Sequence, residues 1–587
     1  MRALTVLRTL AVLSVELGLA LANEMSHCCQ ALSDAGLGDA LVYSGVEAYE
    51  NDLQKYFSKA AVLTPQCFLQ PRDTTEVSLA VKTLVAANKT EPCQFAIRGG
   101  GHTHFAGAAG IEKGVTIDLG MIKDVAYFQD NSSVSVGGGA VWSDVYEALD
   151  KIGVMVAGGR ASSVGVGGLS LGGGNSYYAA RYGWVCDNVL RYEVVLANGT
   201  IVVATKDDYP DLWLALKGGS SNFGVVTRYD FAAFDGGKIF GGVVLYPGDT
   251  ADKQLQAILN FGDNIEKDPY GSTIVISMMM SDTKTPMFMN AYDYTKSVDQ
   301  LPSSVFGEFL SIPGNISDST GLRNMTSLAH EFELPKDHRV HFSTLTFKSD
   351  IRVMRKAHEA YENVTKTLVA QAKGDWAIYT LYQPIPTLFS QHSKAKGGNV
   401  LGLDRFKENL IMYEPYMKWQ GADQDELFNS QARYLRDTIS SYAKSIKADN
   451  DWLYLNYADK EQAPLEGYGL DNVHKIRAAA QKYDPDGVFQ YMMPGGFKIS
   501  QVSCKIPLRE SIPDETQVKD SAVPGAKSHT KVGVISGSVV GGVVGAALIL
   551  GALLFFLLKA RPPPQQQLNP HKVVDPVVVH PKSDRDN

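Results

Sequence analysis

Three glycine-rich clusters between residues 98 and 227 constrain the possible folds of this chain more than any other feature. They are RGGGHTHFAG at 98–107, GVGGLSLGGGNS at 165–176 and KGGSSNFGVVT at 217–227. Because glycine has no Cβ, main-chain N–H groups in such turns can approach an anion or a flat ring closely. Tight turns alone would explain any single cluster equally well. Three clusters within one stretch favour a bound cofactor.

Familiar signatures of other sites do not fit these clusters. In VSVGGGAVWSDV at 134–145, Trp142 stands where a dinucleotide fold needs its third glycine, and the chain has no P-loop. His102 has only His104 nearby, without a third metal ligand at usable spacing, so no metal site is predicted. The formal net charge of −8 argues against nucleic-acid binding.

The hydrophobic pattern predicts an α+β architecture with two main regions. In residues 60–232, short apolar strands alternate with glycine turns and helical stretches. The stretches 142–153 and 211–219 are helical, and two apolar strands flank the Asn-Gly turn at 198–199. Residues 233–450 contain strand-like runs at 238–246, 272–280 and 376–386, and amphipathic stretches at 353–372 and 424–447. An antiparallel sheet backed by helices is expected in this second region. Residues 451–505 form a closing segment.

Both ends of the chain carry signals of membrane targeting. Residues 1–22 have an early Arg2, an apolar run and a small-residue ending, as in a secretory signal peptide. Residues 532–558 contain no charge and exceed the about 20 residues that span a bilayer. A transmembrane helix there would follow a stalk at 506–531 and precede a disordered cytoplasmic tail at 559–587. The expected topology is single-pass, with the bulk of the chain extracellular or lumenal.

The cysteines and glycosylation sequons agree with this topology. Cys28 and Cys29 lie in the segment 23–59, and Cys67 and Cys93 follow it. The first two are predicted to form disulfides with the other two, in an order that the sequence leaves open. Sequons for N-glycosylation stand at Asn88, Asn131, Asn198, Asn315, Asn324 and Asn363. The sequence therefore predicts a membrane glycoprotein with disulfide bonds.

Several motifs in order resemble a known family of flavoproteins. IRGGGHTHFAG, TIDLGMIKDV, VSVGGGAVWSDVYEAL, GRASSVGVGGLSLGGGNS and LWLALKGGSSNFGVVT are similar to the FAD-binding domain of the vanillyl-alcohol oxidase/para-cresol methylhydroxylase superfamily. YLNYAD and YDPDGVFQY resemble its berberine-bridge-enzyme-like branch in the fungal secreted form. The resemblance implies a two-subdomain FAD-binding domain followed by a substrate domain.

The resemblance also implies which residues hold the cofactor. His102 matches the histidine whose ring is bonded to the flavin, and the segments 98–103 and 161–168 match the pyrophosphate-binding loops. Asn222–Thr227 matches a strand on the adenine side. The residues so implied are Arg98, Gly99, Gly100, Gly101, His102, Thr103, Gly107, Ala161, Ser162, Gly165, Gly168, Leu169, Gly172, Asn175, Gly224, Val226, Tyr454 and Asn456.

Two departures from the family pattern affect the expected chemistry. Many relatives form a second flavin bond through a cysteine, but this chain has Ala161 at that position, so a single covalent linkage through His102 is expected. Cys186 lies too far along the chain to replace it and is expected to be a buried thiol near the cofactor. Asn175 stands where plant relatives have a tyrosine, which leaves the identity of the catalytic base open.

The implied reaction is oxidation of a small organic or sugar substrate at a C–H bond next to an alcohol or amine. The base is predicted to be Tyr454 or Tyr457, with Asp459 as a further candidate, although these tyrosines fit a structural role in the core equally well. Gln383 and Asn399 are expected to face the substrate. O2 is the expected electron acceptor, giving H2O2. The alternatives are a dehydrogenase with another acceptor and a non-catalytic glycoprotein that retains the fold.

The predicted membrane helix generates a prediction of its own. Gly533, Gly537, Gly541 and Gly545 recur every fourth residue, so that two helices could approach closely along this face and form a homodimer. Crosslinking of the full-length protein in detergent should therefore yield dimer, and Gly541→Leu should reduce it strongly. Equal amounts of dimer in both proteins would contradict the prediction.

Overall fold

A computed structural model describes residues 26–503 of the chain. The predicted signal peptide at 1–22, the stalk at 506–531, the membrane helix at 532–558 and the tail at 559–587 lie outside the described residues. None of the helices within the described range combines the length and hydrophobicity that a bilayer span requires.

The first sheet has four short strands in the order β1-β2-β4-β3. The strand β1 pairs antiparallel with β2, whereas β4 lies parallel to both β2 and β3. Leu84, Val81 and Phe95 are among the residues of its buried core. The bounds are β1 Leu41–Tyr43, β2 Cys67–Leu69, β3 Phe95–Arg98, β4 Val115–Asp118, α1 His27–Leu32, α2 Glu47–Leu53 and α3 Thr74–Ala87.

Two disulfide bonds attach the first helix to this sheet. Cys28 is bonded to Cys93 and Cys29 to Cys67, which confirms the predicted set of four cysteines and fixes its pairing. Cys186 is free and buried, as expected of a thiol that forms no second linkage. The helix α1 is thus held beside β3, the strand that leads into the first glycine turn.

The second sheet is antiparallel, with the order β5-β6-β10-β8-β9 and β7 paired to β10. The Asn-Gly turn at 198–199 joins β8 to β9, as predicted, and Gly199 has a φ of +76° that suits glycine. The bounds are β5 Val125–Phe128, β6 Ser133–Gly137, β7 Val154–Val156, β8 Val189–Val195, β9 Ile201–Thr205, β10 Val225–Asp235, α4 Trp142–Leu149, α5 Val166–Leu171, α6 Ala179–Tyr182 and α7 Pro210–Leu216.

The third sheet is antiparallel and has ten strands, with the order β14-β11-β13-β12-β18-β19-β17-β20, β15 beside β11 and β16 beside β19. The bounds are β11 Ile239–Pro247, β12 Gly271–Met280, β13 Met287–Tyr294, β14 Ser317–Asp318, β15 Gly321–Arg323, β16 Arg339–Phe342, β17 Leu345–Lys348, β18 Trp376–Ile385, β19 Leu410–Trp419, β20 Asp449–Asn450, α8 Ala251–Asn264, α9 Ser303–Leu310, α10 Met325–Glu331, α11 Ile351–Gln371, α12 Thr387–Ala395 and α13 Asp425–Ser445. The long helices α11 and α13 begin and end close to the two predicted amphipathic stretches. The predicted sheet backed by helices is confirmed.

The last described segment returns to the second sheet. It contains α14, Leu470–Tyr483. Asn222, just before β10, donates from Nδ2 to the Phe497 carbonyl at 3.0 Å, and its Oδ1 accepts from the Ile499 N–H at 3.2 Å. This amide therefore fastens the end of the described chain to the third glycine cluster.

Candidate active site

Two of the glycine turns are in direct backbone contact. Gly100 follows β3 and Gly165 precedes α5, and a Cβ placed on Gly100 would lie 2.5 Å from the Gly165 Cα and N. Real Cβ atoms do not approach backbone so closely, so no other residue fits at this point. The contact joins the turn of the first sheet to the turn beside the second sheet.

Four of the other predicted cofactor glycines, Gly107, Gly168, Gly172 and Gly224, fall into two groups. A Cβ on Gly172 would overlap the Asn456 amide, and one on Gly224 would lie 2.6 Å from Val194 Cγ1, so these glycines serve internal packing. Around Gly107 and Gly168 nothing lies within 4 Å of such a Cβ. Only the second group leaves room beside the backbone for a ligand.

Arg98 is buried and bound to two carboxylates, Asp118 at the end of β4 and Asp52 on α2. Its Nη2 lies 2.8 Å from Asp118 Oδ2 and 3.2 Å from Asp52 Oδ1, and its guanidinium lies over the rings of Tyr56 and Phe68 at 4.9 and 4.7 Å. The Arg98 side chain is only 1% exposed. The guanidinium therefore holds the first turn in place through partners that belong to the protein, and its contact with the cofactor stays a prediction.

His102 has the properties of a reactive ring nitrogen. Its imidazole stacks on Phe57 with centroids 4.0 Å apart and an angle of 11° between the planes. Its Nε2 is buried without a hydrogen-bond partner among the described residues. Burial lowers the pKa of His102 to about 4, against the opposing charge of Glu333, so the ring is neutral at pH 7. A neutral imidazole nitrogen is a nucleophile.

The neighbouring His104 has a different role. It is buried, and its Nε2 lies 3.4 Å from Asp459 Oδ2. Although burial opposes it, the hydrogen bond with His104 holds the pKa of Asp459 at about 2. A carboxylate of such low pKa is a weak base, which argues against Asp459 as the group that deprotonates a substrate.

Glu333, which follows α10, binds the loop at 161–163. Its Oε2 accepts hydrogen bonds from the Ser162 hydroxyl and, at 2.9 Å, from the Ser163 N–H. Burial alone would raise the pKa of Glu333, but the two serines lower it below its ordinary value. An anion therefore already lies at the loop that was predicted to bind pyrophosphate.

Tyr454 is held by groups that were predicted to bind the cofactor. Its hydroxyl accepts from the Asn175 N–H at 2.8 Å and from Asn456 Nδ2 at 3.1 Å, and the same Nδ2 donates to the Leu169 carbonyl at 3.0 Å. Burial raises the pKa of Tyr454 well above its ordinary value. Tyr454 is therefore a poor base, and it joins the closing segment to the second glycine cluster.

Tyr457 has the cationic neighbour that a tyrosine base requires. Arg160 Nη2 donates to the Tyr457 hydroxyl at 2.7 Å and to Gln383 Oε1 at 2.8 Å. Burial raises the pKa of Tyr457, and the charge of Arg160 opposes that rise because it stabilises the phenolate. The structure thus brings together Gln383 and Tyr457, two predicted site residues that are far apart in sequence.

Glu414 lies on the same face of the third sheet as Gln383. In the register of β18 and β19, Leu381 is opposite Glu414 and Gln383 is opposite Met412, so the two side chains are diagonal neighbours. Gln383 Nε2 lies 3.4 Å from Glu414 Oε2. Burial raises the pKa of Glu414 to about 8, with Arg160 opposing the rise, so this carboxyl is mostly protonated at pH 7.

A cavity adjoins this network, but Asn399 does not line it. The lining includes Arg160, Asn175, Tyr177 and Gln383. Asn399 instead donates from Nδ2 to Asp187 Oδ1 at 2.8 Å and to Ser393 Oγ at 3.1 Å. Its amide therefore holds a buried aspartate, and its contact with substrate stays a prediction.

The residues present fit a flavin cofactor. A buried, unpartnered nitrogen on His102 and open space beside Gly107 and Gly168 lie on turns held together at Gly100 and Gly165. The Ser163 hydroxyl is also buried without a partner among the described residues. Within the same range, His, Cys, Asp and Glu side chains form no group of three that could hold a metal ion.

Comparisons with known proteins agree with this site. Residues 65–205 match the family described as the FAD binding domain. The FAD-dependent monooxygenase sdcF of Emericella nidulans is 41% identical over 81% of this chain and 98% of its own length. The FAD-dependent monooxygenase drtC of Aspergillus calidoustus is 40% identical over 81% of this chain and 91% of its own.

Solved structures show the same fold at low identity. The xylooligosaccharide oxidase of Myceliophthora thermophila C1 has a TM-score of 0.66 at 19% identity, covering 80% of this chain and 98% of that one. A glucooligosaccharide oxidase of Acremonium strictum has a TM-score of 0.65 at 19% identity, covering 79% and 97%. Fold and site together define an FAD-dependent oxidoreductase. The chain belongs to the same family as the FAD-dependent monooxygenases sdcF and drtC and contains an FAD binding domain.

Sequence reasoning missed three charged residues of the site: Arg160, Glu333 and Glu414. Two of them carried a signal. Arg160 interrupts a run of small residues, VAGGRASS, and Glu414 stands alone inside the apolar strand LIMYEPYM. A charge in such surroundings requires a partner or a function. Glu333 stands in an ordinary polar segment, and only the fold shows its contact with Ser162.

The two groups of glycines predict different outcomes for alanine substitutions. Gly100→Ala should lower the free energy of unfolding by about 1–3 kcal/mol, because the new Cβ would separate two turns in contact. Gly168→Ala should leave stability unchanged or raise it slightly, because alanine is the better helix former and its Cβ meets no protein atom. Denaturant unfolding measures the first effect. Both variants should also bind less flavin, and the flavin content of the purified proteins measures this loss. Equal stability of the two variants would contradict the assignment.

Proposed function

We propose that the protein is an oxidase that removes a hydride from a C–H bond next to an alcohol or amine, using FAD bonded covalently to His102. The observation that carries this proposal is the contact between Arg160 and the Tyr457 hydroxyl at 2.7 Å, beside a cavity that Arg160 and Gln383 line. A tyrosine with a cation at hydrogen-bond distance can accept a proton that an isolated tyrosine cannot.

The residues of the site divide the reaction between them. The chemistry that FAD would supply when bound is hydride acceptance from the substrate carbon and two-electron transfer to O2, which gives H2O2. The phenolate of Tyr457 accepts the proton from the substrate O–H or N–H as the C=O or C=N bond forms, and it becomes a neutral tyrosine. Arg160 stabilises the phenolate before it takes the proton, and Gln383, fixed by Arg160 and Glu414, orients the substrate.

A single covalent bond to the cofactor is supported by His102 and Ala161. The neutral, unpartnered His102 can attack an electrophilic carbon without first losing a proton. For a glucooligosaccharide oxidase of the same fold, a 6-S-cysteinyl, 8α-N1-histidyl FAD has been described. Ala161 has no sulfur to form the cysteinyl bond that the family pattern places there.

A second candidate function is monooxygenation. It is favoured by the relatives of 41% and 40% identity, which are both described as FAD-dependent monooxygenases. In that reaction one oxygen atom of O2 enters the product, whereas an oxidase releases both as H2O2. Measurement of H2O2 per substrate consumed, together with labelled O2, distinguishes the two.

For its location, we propose a single-pass membrane protein whose catalytic region faces the extracellular side or the lumen of the secretory pathway. The charge-free segment 532–558 and the signal-like segment 1–22 support this topology. Covalent attachment suits such a location, because free FAD is scarce there and a lost cofactor would not be replaced. A homodimer would form along the glycine face of the membrane helix.

The covalent linkage predicts where flavin goes when the protein is denatured. Acid precipitation of the protein should leave yellow colour and flavin fluorescence in the pellet, and His102→Ala should move both to the supernatant. His104→Ala is the matched control and should keep the flavin in the pellet, because His104 is paired with Asp459. Release of flavin from the unmodified protein would refute the covalent bond, and a colourless native protein would refute the enzyme assignment.

The role of Tyr457 predicts a large loss of activity with little loss of structure. Tyr457→Phe should lower kcat by roughly 10²–10⁴-fold, because it removes the proton acceptor but keeps the ring. The activity of the unmodified enzyme should rise with pH as Tyr457 ionises, and this rise should be absent in the variant. Tyr491→Phe, at a residue that is 68% exposed, serves as control. The measurement is the rate of peroxide release with a substrate found by screening a panel of alcohols. An unchanged kcat in Tyr457→Phe would exclude Tyr457 as the base.

A further inference from the structure

Arg160, which is half-buried, differs from the buried Arg98 in having no negative partner. Arg98 lies between Asp52 and Asp118, whereas the hydrogen bonds of Arg160 to described residues all run from Nη2 to neutral acceptors, Tyr457 and Gln383. Its Nε and Nη1 donate to nothing within residues 26–503. A half-buried cation with free N–H donors in the wall of a cavity favours an anion as their partner.

The nearest carboxyl does not compensate for this charge at neutral pH. Glu414 reaches Arg160 only through Gln383, and burial keeps Glu414 mostly protonated. The wall of the cavity thus carries a net positive charge next to the proposed base.

The rest of the cavity wall is largely apolar, and most of its polar groups already have a hydrogen-bond partner. Tyr177, Phe261, Ile265, Pro384 and Phe389 supply the apolar surface. The hydroxyl of Thr273 donates to the Ala291 carbonyl at 2.8 Å, that of Tyr177 donates to the Arg160 carbonyl at 3.3 Å, and that of Ser176 accepts from the Tyr178 N–H. A sugar, which needs a partner for each hydroxyl, would find few here.

We propose that Arg160 binds a negatively charged oxygen of the substrate, so that the substrate is a mainly apolar molecule carrying one carboxylate, phenolate or enolate. The planar guanidinium offers Nε and Nη1 for this oxygen while Nη2 keeps its contacts with Tyr457 and Gln383. This inference rests on the proposed function for the identity of the cavity as the substrate site. It separates this chain from oligosaccharide oxidases of the same fold.

Calorimetric titration of the purified full chain with benzoate and benzamide tests the inference. The two probes share size and shape and differ in charge. The unmodified protein should bind benzoate roughly tenfold more tightly or better, which corresponds to about 1.4 kcal/mol. Arg160→Gln should remove this preference and keep benzamide binding. Arg160→Lys, which keeps the charge, should retain part of it. Arg191→Gln, at a residue whose side chain is 54% exposed, should retain all of it.

Equal affinity for both probes, no binding of benzoate, or a preference that persists in Arg160→Gln would each overturn the inference. Tighter binding of xylobiose than of benzoate would overturn the substrate class. The absorption spectrum of the same samples reports flavin separately. A preference for benzoate without flavin would refute the proposed function alone, and flavin without the preference would refute this inference alone.

Discussion

The contact between Gly100 and Gly165 is the constraint on which the rest of the site depends. It leaves no space for a side chain on either residue, so two turns from different sheets meet through backbone alone. Because His102 stands two residues beyond one of these glycines and Arg160 five residues before the other, the contact fixes the proposed attachment point at His102 and the cavity wall relative to each other. Arg98, held by Asp52 and Asp118, keeps the first turn rigid. Gly100 and Gly165 therefore position the two turns directly, and they position a cofactor only through these turns.

The fold was predictable where local pattern and tertiary packing demand the same thing. Apolar periodicity located α11, α13, β12 and β18 to within a few residues, and the Asn-Gly turn located the hairpin of β8 and β9. The set of four bonded cysteines was predictable from their clustering, but their order was not, because it depends on where α1 packs. The ordered motifs indicated the cofactor through their resemblance to known flavoproteins, and residues 65–205 match the FAD binding domain.

The site was only partly predictable because its charges act across long sequence distances. Arg98 looked like a phosphate ligand, yet it also binds two carboxylates, one from α2 and one from β4. Asn399 looked substrate-facing, yet it holds Asp187. Tyr457 could be named as a base, but the cation that makes this reasonable, Arg160, precedes it by 297 residues. No local pattern contains such pairs, since they exist only once the sheets have assembled.

The return of the closing segment determines when this site can exist. Tyr454 and Tyr457 reach Asn175 and Arg160 from 279 and 297 residues further along the chain, and Asn222 ties down residues as late as Ile499. During synthesis, the glycine turns must therefore remain without these partners until most of the catalytic region has been translated. Contacts of such separation also form slowly, because the intervening chain must be ordered first. Loading with flavin is consequently a late event in the biogenesis of the protein, and chains truncated before residue 454 would lack a complete site to load.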